Sequence, residues 1–204
     1  MPTTNVKLST EESALVTNSD IILTKSRIIH KVVDLFGLIY KEYEGLIKNE
    51  LLFLPVEVLK KNSKISKGEQ YKKLPFVMLD YPRYFSQHNT FAIRSFFWWG
   101  NFFSITLHLS GNFATQYAEV IFNKLKEKNF DSWFVCVNEN EWEHHFEEDN
   151  YLPASLYLSQ PSSFDALKQK SFLKLAKKIP LKEWDHGFQF FTKEYKDILQ
   201  ILNH

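Results

Sequence analysis

The sequence predicts an α+β fold in one domain, and three observations predict it. Apolar residues recur at three- and four-residue steps between Ile21 and Ile47, the period of a long amphipathic helix. Residues 91–110 form two strand-like runs around Gly100-Asn101, a dipeptide suited to a tight hairpin turn. A second helical pattern over Trp184–Leu202 carries Phe188, Phe191, Tyr195, Ile198, Leu199 and Leu202. The expected architecture is an antiparallel sheet centred on the 91–110 hairpin, with the N-terminal and C-terminal helices packed against it. A chain of 204 residues with 44% hydrophobic residues is sized for one well-packed core rather than two.

The elements follow in order. Residues 1–17 read as a flexible lead, and residues 18–204 as a single α+β domain. Asn18-Ser19-Asp20 supply N-caps for the long helix, whose apolar face runs through Val32, Phe36, Ile39 and Tyr43; Gly37 and Gly45 weaken it only locally. Pro55 interrupts, and residues 60–73, with six Lys and one Glu, read as a solvated loop. Phe76–Leu79 reads as a short strand stopped by Pro82. Beyond the hairpin, residues 114–128 have a helical pattern and Trp133–Val137 reads as a buried strand. The acidic stretch 139–149 reads as a helix, Leu156–Leu158 as a strand and Phe164–Lys168 as a short helix. Phe172–Ile179 fits either helix or strand.

Composition narrows the function classes. A formal charge of +1 gives no overall field to attract nucleic acid or an anionic membrane. No apolar run approaches the ~18 residues that span a bilayer. One cysteine, Cys136, cannot close an intrachain disulfide, and the polar N-terminus shows no secretory pattern. These features make cytoplasmic location the expectation. There is no glycine-rich phosphate loop, no dinucleotide fingerprint and no G-x-S-x-G elbow, so no cofactor is implied. Cys136, inside an apolar run, reads as inert packing.

The hairpin holds the candidate site. With Gly100-Asn101 as a two-residue turn, Trp99 pairs with Phe102 and Trp98 with Phe103. One face then carries Arg94, Phe96, Trp98, Phe103, Ile105 and Leu107; the other carries Ser95, Phe97, Trp99, Ser104, Thr106 and His108. Arg94 is the sole charge on its apolar face and needs a partner, because an unpaired buried charge is costly. Three outcomes are open: an internal bridge to Asp80, a carboxylate or phosphate of a ligand, or a different register that leaves Arg94 in water. His108 with Ser95, Ser104 and Thr106 offers a polar strip suited to a small-molecule pocket, and His108 titrates near neutrality. Arg83 adds charge, and Trp98 or Trp99 adds stacking surface.

Glu141-Trp142-Glu143-His144 and Glu183-Trp184-Asp185-His186 echo each other. Paired Glu-x-x-His motifs serve di-metal sites, but only in four-helix bundles, which this chain lacks, and no metal ligand is assigned. The six acids of 139–149 could instead dock on the lysines of 60–73.

The expectation is therefore a cytosolic small-molecule-binding domain, enzymatic or not, with a pocket beside the hairpin for an anionic or aromatic molecule. Arg94, Asp80, Arg83, Trp98, Trp99 and His108 are its candidate ligand contacts, and His108 is the candidate catalytic group. The alternative is a protein-interaction or assembly module that uses an exposed aromatic hairpin surface. A carboxylate/histidine metalloenzyme comes third. Nucleic acid and membrane are not expected partners.

Overall fold

The computed structural model describes residues 6–49, 54–60, 62–127, 130 and 132–203. They form an α+β fold of seven α-helices and one antiparallel sheet of seven strands. The helices are α1 (Thr10–Val16), α2 (Ser19–Asn49), α3 (Val56–Leu59), α4 (Asn112–Leu125), α5 (Ala154–Leu158), α6 (Ser163–Gln169) and α7 (Gly187–Leu202). The strands are β1 (Lys64–Tyr71), β2 (Leu74–Phe85), β3 (Thr90–Trp98), β4 (Phe102–Ser110), β5 (Phe134–Cys136), β6 (Tyr151–Pro153) and β7 (Phe172–Pro180), in the order β1-β2-β3-β4-β7-β5-β6.

The long helix is present as expected, its first turn held by Asn18, whose side-chain oxygen accepts from the Asp20 amide at 3.0 Å. Val32, Phe36, Ile39 and Tyr43 lie fully buried against one face of the sheet, together with α4 and α7. That face presents Val77, Leu79, Ile93, Phe97, Ile105, Leu107 and Leu175. Burying such side chains removes about 1.5–3 kcal/mol of exposure cost each, so this layer is the main source of cohesion.

Several local expectations are corrected. Within the N-terminal lead, Ser9 and Glu12 form a reciprocal capping box that starts α1. The lysine-rich segment is not a loop. It contains β1, an edge strand that turns into β2 at Lys72-Lys73, both at positive φ (46° and 66°). Lysines suit an edge strand because their charge discourages pairing with other chains. Pro82 does not stop β2; the strand continues to Phe85 through a register shift between Asp80 and Arg83, where a missing N–H is tolerated. Leu156–Leu158 lies in α5, with β6 just before it, and the ambiguous run 172–179 is β7. Residues 181–186 form a 3-10 turn ahead of α7.

The hairpin turn is one residue longer than expected, and this matters most. The pairs are Trp98 with Phe102 and Phe97 with Phe103, leaving Trp99, Gly100 and Asn101 in the turn. The Asn101 amide donates to the Trp98 carbonyl at 3.0 Å, and Gly100 takes φ 73° at the third turn position, where a side chain would be strained. A one-residue slip moves every side chain of one strand to the opposite face. Arg94, Phe96 and Trp98 therefore share a face with Phe102, Ser104, Thr106 and His108, while Ser95 goes to the helix side. There Ser95 hydrogen-bonds the Tyr43 hydroxyl at 3.0 Å.

Candidate functional site

The sheet face away from the helices is polar at its centre and aromatic at both ends. Asp80 of β2, Arg94 of β3, Thr106 and His108 of β4 and Lys174 of β7 line up across neighbouring strands. Phe96, Trp98 and Phe102 pack at one end, and Tyr151, Phe172 and Cys136 at the other. Residues 137–150, the connection from β5 to β6, lie over this face as a non-helical strap rather than the expected helix. Phe146 seats the strap by edge contact with Phe102 and Phe134 and by stacking on Tyr151.

The buried Arg94, Lys174 and His108 of the sheet each reach the strap. Arg94 Nε and Nη2 donate to the two Asp80 carboxylate oxygens at 2.7 and 3.0 Å, so the internal bridge is the outcome. Arg94 Nη1 also lies 3.3 Å from His144 Nε2 on the strap. Lys174 Nζ donates to the carbonyls of Glu141 and Glu143 at 2.9 and 2.5 Å. The Tyr71 hydroxyl accepts from the amides of His144 and His145 at 2.7 and 3.0 Å and donates to Glu143 at 3.0 Å. Lys72 Nζ lies 3.5 Å from Glu143 Oε2, so the acidic stretch does meet the lysine-rich hairpin, at its tip.

His108 supplies the remaining tie, with Nε2 2.8 Å from Glu141 Oε2. Burial drives the His108 pKa down to about 4, against the opposing pull of Glu141. The imidazole is thus neutral at pH 7, and since a carboxylate only accepts, Nε2 carries the proton. Nδ1 is left as an acceptor with no hydrogen-bond partner among the described residues. The same hydrogen bond holds the Glu141 carboxyl below its usual range, keeping it ionised. Burial, with Arg94 beside it, pushes His144 far down, and burial lowers Lys174 to about 8. Burial raises the Cys136 thiol, which makes it a poor nucleophile.

One cleft opens beside this cluster, at the end of the hairpin remote from its turn. It measures about 390 Å³ and is lined by Phe85, Gln87, Ser110, Glu141, Trp142 and Phe172, among others. Trp142 is 48% exposed, and its ring tilts against Phe85 with centroids 6.4 Å apart. The Trp142 ring also meets the His108 ring edge-on, with centroids 5.3 Å apart. Successive Asx turns fix the wall: Asn138 Oδ1 accepts from the Asn140 amide, and Asn140 Oδ1 from the Trp142 amide. Across the cleft, Asn89 Oδ1 accepts from the Asn112 amide and ties the Ser86–Asn89 turn to α4.

The structure reorders the sequence candidates. Asp80, Arg94 and His108 are brought together, but Arg94 is spent on Asp80 rather than on a ligand. Arg83 stands apart, donating from Nε to the Asn62 carbonyl. Trp98 is buried in the aromatic end and offers no stacking surface, and Trp99 packs on the helix side. The hairpin aromatics Phe96, Phe97, Trp98, Phe102 and Phe103 are all buried, so they form no exposed interaction surface. The Glu-x-x-His echo of the strap is also broken, because Glu141 turns to His108 and His144 to Arg94. Among the described residues no group of three or more His, Cys, Asp or Glu could hold a metal.

Nothing in the sequence pattern marks Tyr71, Trp142 or Phe85 as site residues. Lys174 had a signal: in Leu173-Lys174-Leu175 a strand places the lysine opposite the leucines. Comparison with family models, curated proteins and solved structures returned no match.

Proposed function

We propose that this chain is a small-molecule-binding domain whose ligand occupies the cleft between the Ser86–Asn89 turn and the strap. The observation that carries the reading is the Glu141 carboxylate, ionised and oriented by buried His108, in a cleft walled by Trp142, Phe85 and Phe172. Aromatic walls with a few fixed polar groups are the usual make-up of a ligand site, and shifted titratable groups concentrate at such places. An anionic ligand does not suit a carboxylate-bearing wall, so the aromatic half of the sequence expectation is retained and the anionic half is dropped. Enzymatic use would run through His108, whose Nδ1 is unprotonated; its low basicity makes it a weak proton acceptor at neutral pH, and binding is therefore placed first. Cytoplasmic location belongs to the same proposal, supported by the free, buried Cys136.

A thermal-shift screen against a small-metabolite library tests the site. Hits that stabilise the parent chain and are lost in a folded Trp142→Ala variant support it, since ligands of the native state must stabilise. Hits indifferent to both Trp142→Ala and Glu141→Gln place the binding elsewhere.

One observation favours the second reading, an interaction or assembly module, on a different surface from the hairpin. Leu8 just before α1, Leu15 and Val16 at its end, and Ile21 and Ile22 in the first turn of α2 are exposed around one shallow groove. Sedimentation of the parent chain and of Ile22→Glu distinguishes the cases: assembly that the charge abolishes supports this reading, and a monomer in both removes self-association from it.

No helix among the described residues is long and apolar enough to cross a membrane.

A further inference from the structure

We infer that the cleft recognises an organic cation, through an ammonium group held between the Glu141 carboxylate and the Trp142 ring. The inference rests on the cleft being the ligand site and adds the charge class of what enters it. Glu141 is the one acidic side chain lining the cleft among the described residues, and its side chain is 28% exposed. Its hydrogen-bond partner, His108, is a neutral donor and leaves the carboxylate charge in place.

No lysine or arginine among the described residues hydrogen-bonds that carboxylate, although Lys174 acts on it through space. Lys174 directs Nζ to the backbone carbonyls of Glu141 and Glu143, and Arg94 is closed on Asp80. His88, the other titratable group of the lining, sits exposed in the Ser86–Asn89 turn. An ionised carboxylate without a cationic hydrogen-bond partner thus stands in a part-enclosed wall, next to a half-exposed indole. Phe85 and Phe172 provide further ring surface.

That combination has a specific complement. An ammonium head gains the Coulomb attraction of the carboxylate and the negative face of the indole together, and the aromatic surroundings accept its alkyl substituents. A neutral molecule of the same shape gains only the apolar contact. An anion meets repulsion from Glu141. The polar lining from Gln87, Ser110 and Thr90 can accept hydrogen bonds from hydroxyl or amine groups carried on the rest of the ligand.

Binding of choline and of its uncharged isostere 3,3-dimethyl-1-butanol separates these terms. The readout is the Trp142 indole N–H resonance, assigned by its loss in Trp142→Phe. Choline is expected to shift and saturate this signal, with the isostere weaker by about tenfold, as a desolvated cation–π and ion-pair contact implies. Glu141→Gln, which keeps an acceptor for His108, is expected to reduce choline binding to the level of the isostere while the melting temperature stays near that of the parent. Equal binding of the two probes, or choline binding unchanged in Glu141→Gln, would overturn the cation assignment and leave the cleft as the site. If choline, the isostere and a neutral monosaccharide all leave Trp142 unshifted, the cation assignment and the cleft reading fall together.

Discussion

His108 Nε2 sits 2.8 Å from Glu141 Oε2, and this contact ties the middle of the sheet to the strap that closes over it. The histidine comes from a fully paired strand, and the glutamate from a segment with no regular structure. A rigid element thus orients a group on a loop, which is how binding side chains are commonly held. The cleft inherits its shape from this tie and from the Lys174 bonds to the carbonyls on either side of Trp142.

The tie predicts a pH dependence. His108 has a pKa of about 4 in the fold against 6.5 in an open chain, so the unfolded chain binds more protons across that window. Stability should fall as the pH drops from 6.5 towards 4, by about 1.4 kcal/mol per pH unit for this group. His144, also held neutral by burial, acts in the same direction. The contribution of Glu141, whose folded value is depressed, is lost lower, as the pH falls through that value. Urea unfolding at several pH values checks this: His108→Gln should flatten the slope by about one proton, and an unchanged slope would contradict the assignment.

Arg94 and Asp80 predict an asymmetric response to mutation. Arg94→Ala leaves a buried carboxylate without its bidentate partner and should cost about 3–5 kcal/mol. The double variant Arg94→Met with Asp80→Leu should cost much less, because no charge is left unpaired. Chemical denaturation of the two singles and the double measures the coupling. Additive losses would show that the pair does not interact as the geometry states.

The strap should loosen at an identifiable point when Tyr71 loses its hydroxyl. In Tyr71→Phe the amides of His144 and His145 lose their acceptor. Their hydrogen exchange should accelerate, while the Ile105 amide in the centre of β4 keeps its protection. Unchanged exchange at both histidines would mean that the strap is held by other contacts.

Gly111 predicts a coupling between the strand-to-helix corner and the cleft. It adopts φ 59°, and a Cβ there would meet the His88 carbonyl oxygen at 2.2 Å and Asn89 Oδ1 at 2.4 Å. Gly111→Ala should destabilise by about 1–3 kcal/mol from backbone strain alone and displace the Ser86–Asn89 turn that borders the cleft. A melting temperature and a Trp142 resonance both unchanged from the parent would contradict this.

The parts of this structure legible in the sequence are those with a strong period. Residues 21–47 repeat at helical spacing for seven turns, and few other folds of that segment would bury Val32, Phe36, Ile39 and Tyr43 together. The hairpin strands were equally plain, but their register was not. Aromatic residues occupy both faces near Gly100, so two- and three-residue turns look alike in pattern, and the backbone at Gly100 decides between them. That single residue separates Arg94 from His108 in one register and joins them on one face in the other.

The strap was illegible for another reason. It is held by hydrogen bonds to Tyr71, Arg94, His108 and Lys174, which lie between 31 and 74 positions away. Local propensity carries no trace of such partners, and a stretch rich in Glu reads as helical when they are unknown. β1 was hidden because an edge strand tolerates the very lysines that suggest a loop.

A crystallographic fragment screen on the unaltered chain is the most direct measurement of the central claim. The account predicts that amine-bearing fragments collect in the cleft, with nitrogen in hydrogen-bond reach of Glu141 and carbon against the Trp142 ring. Fragments that gather along α1 and the start of α2, around Val16 and Ile22, while the cleft beside Glu141 takes none, would contradict it.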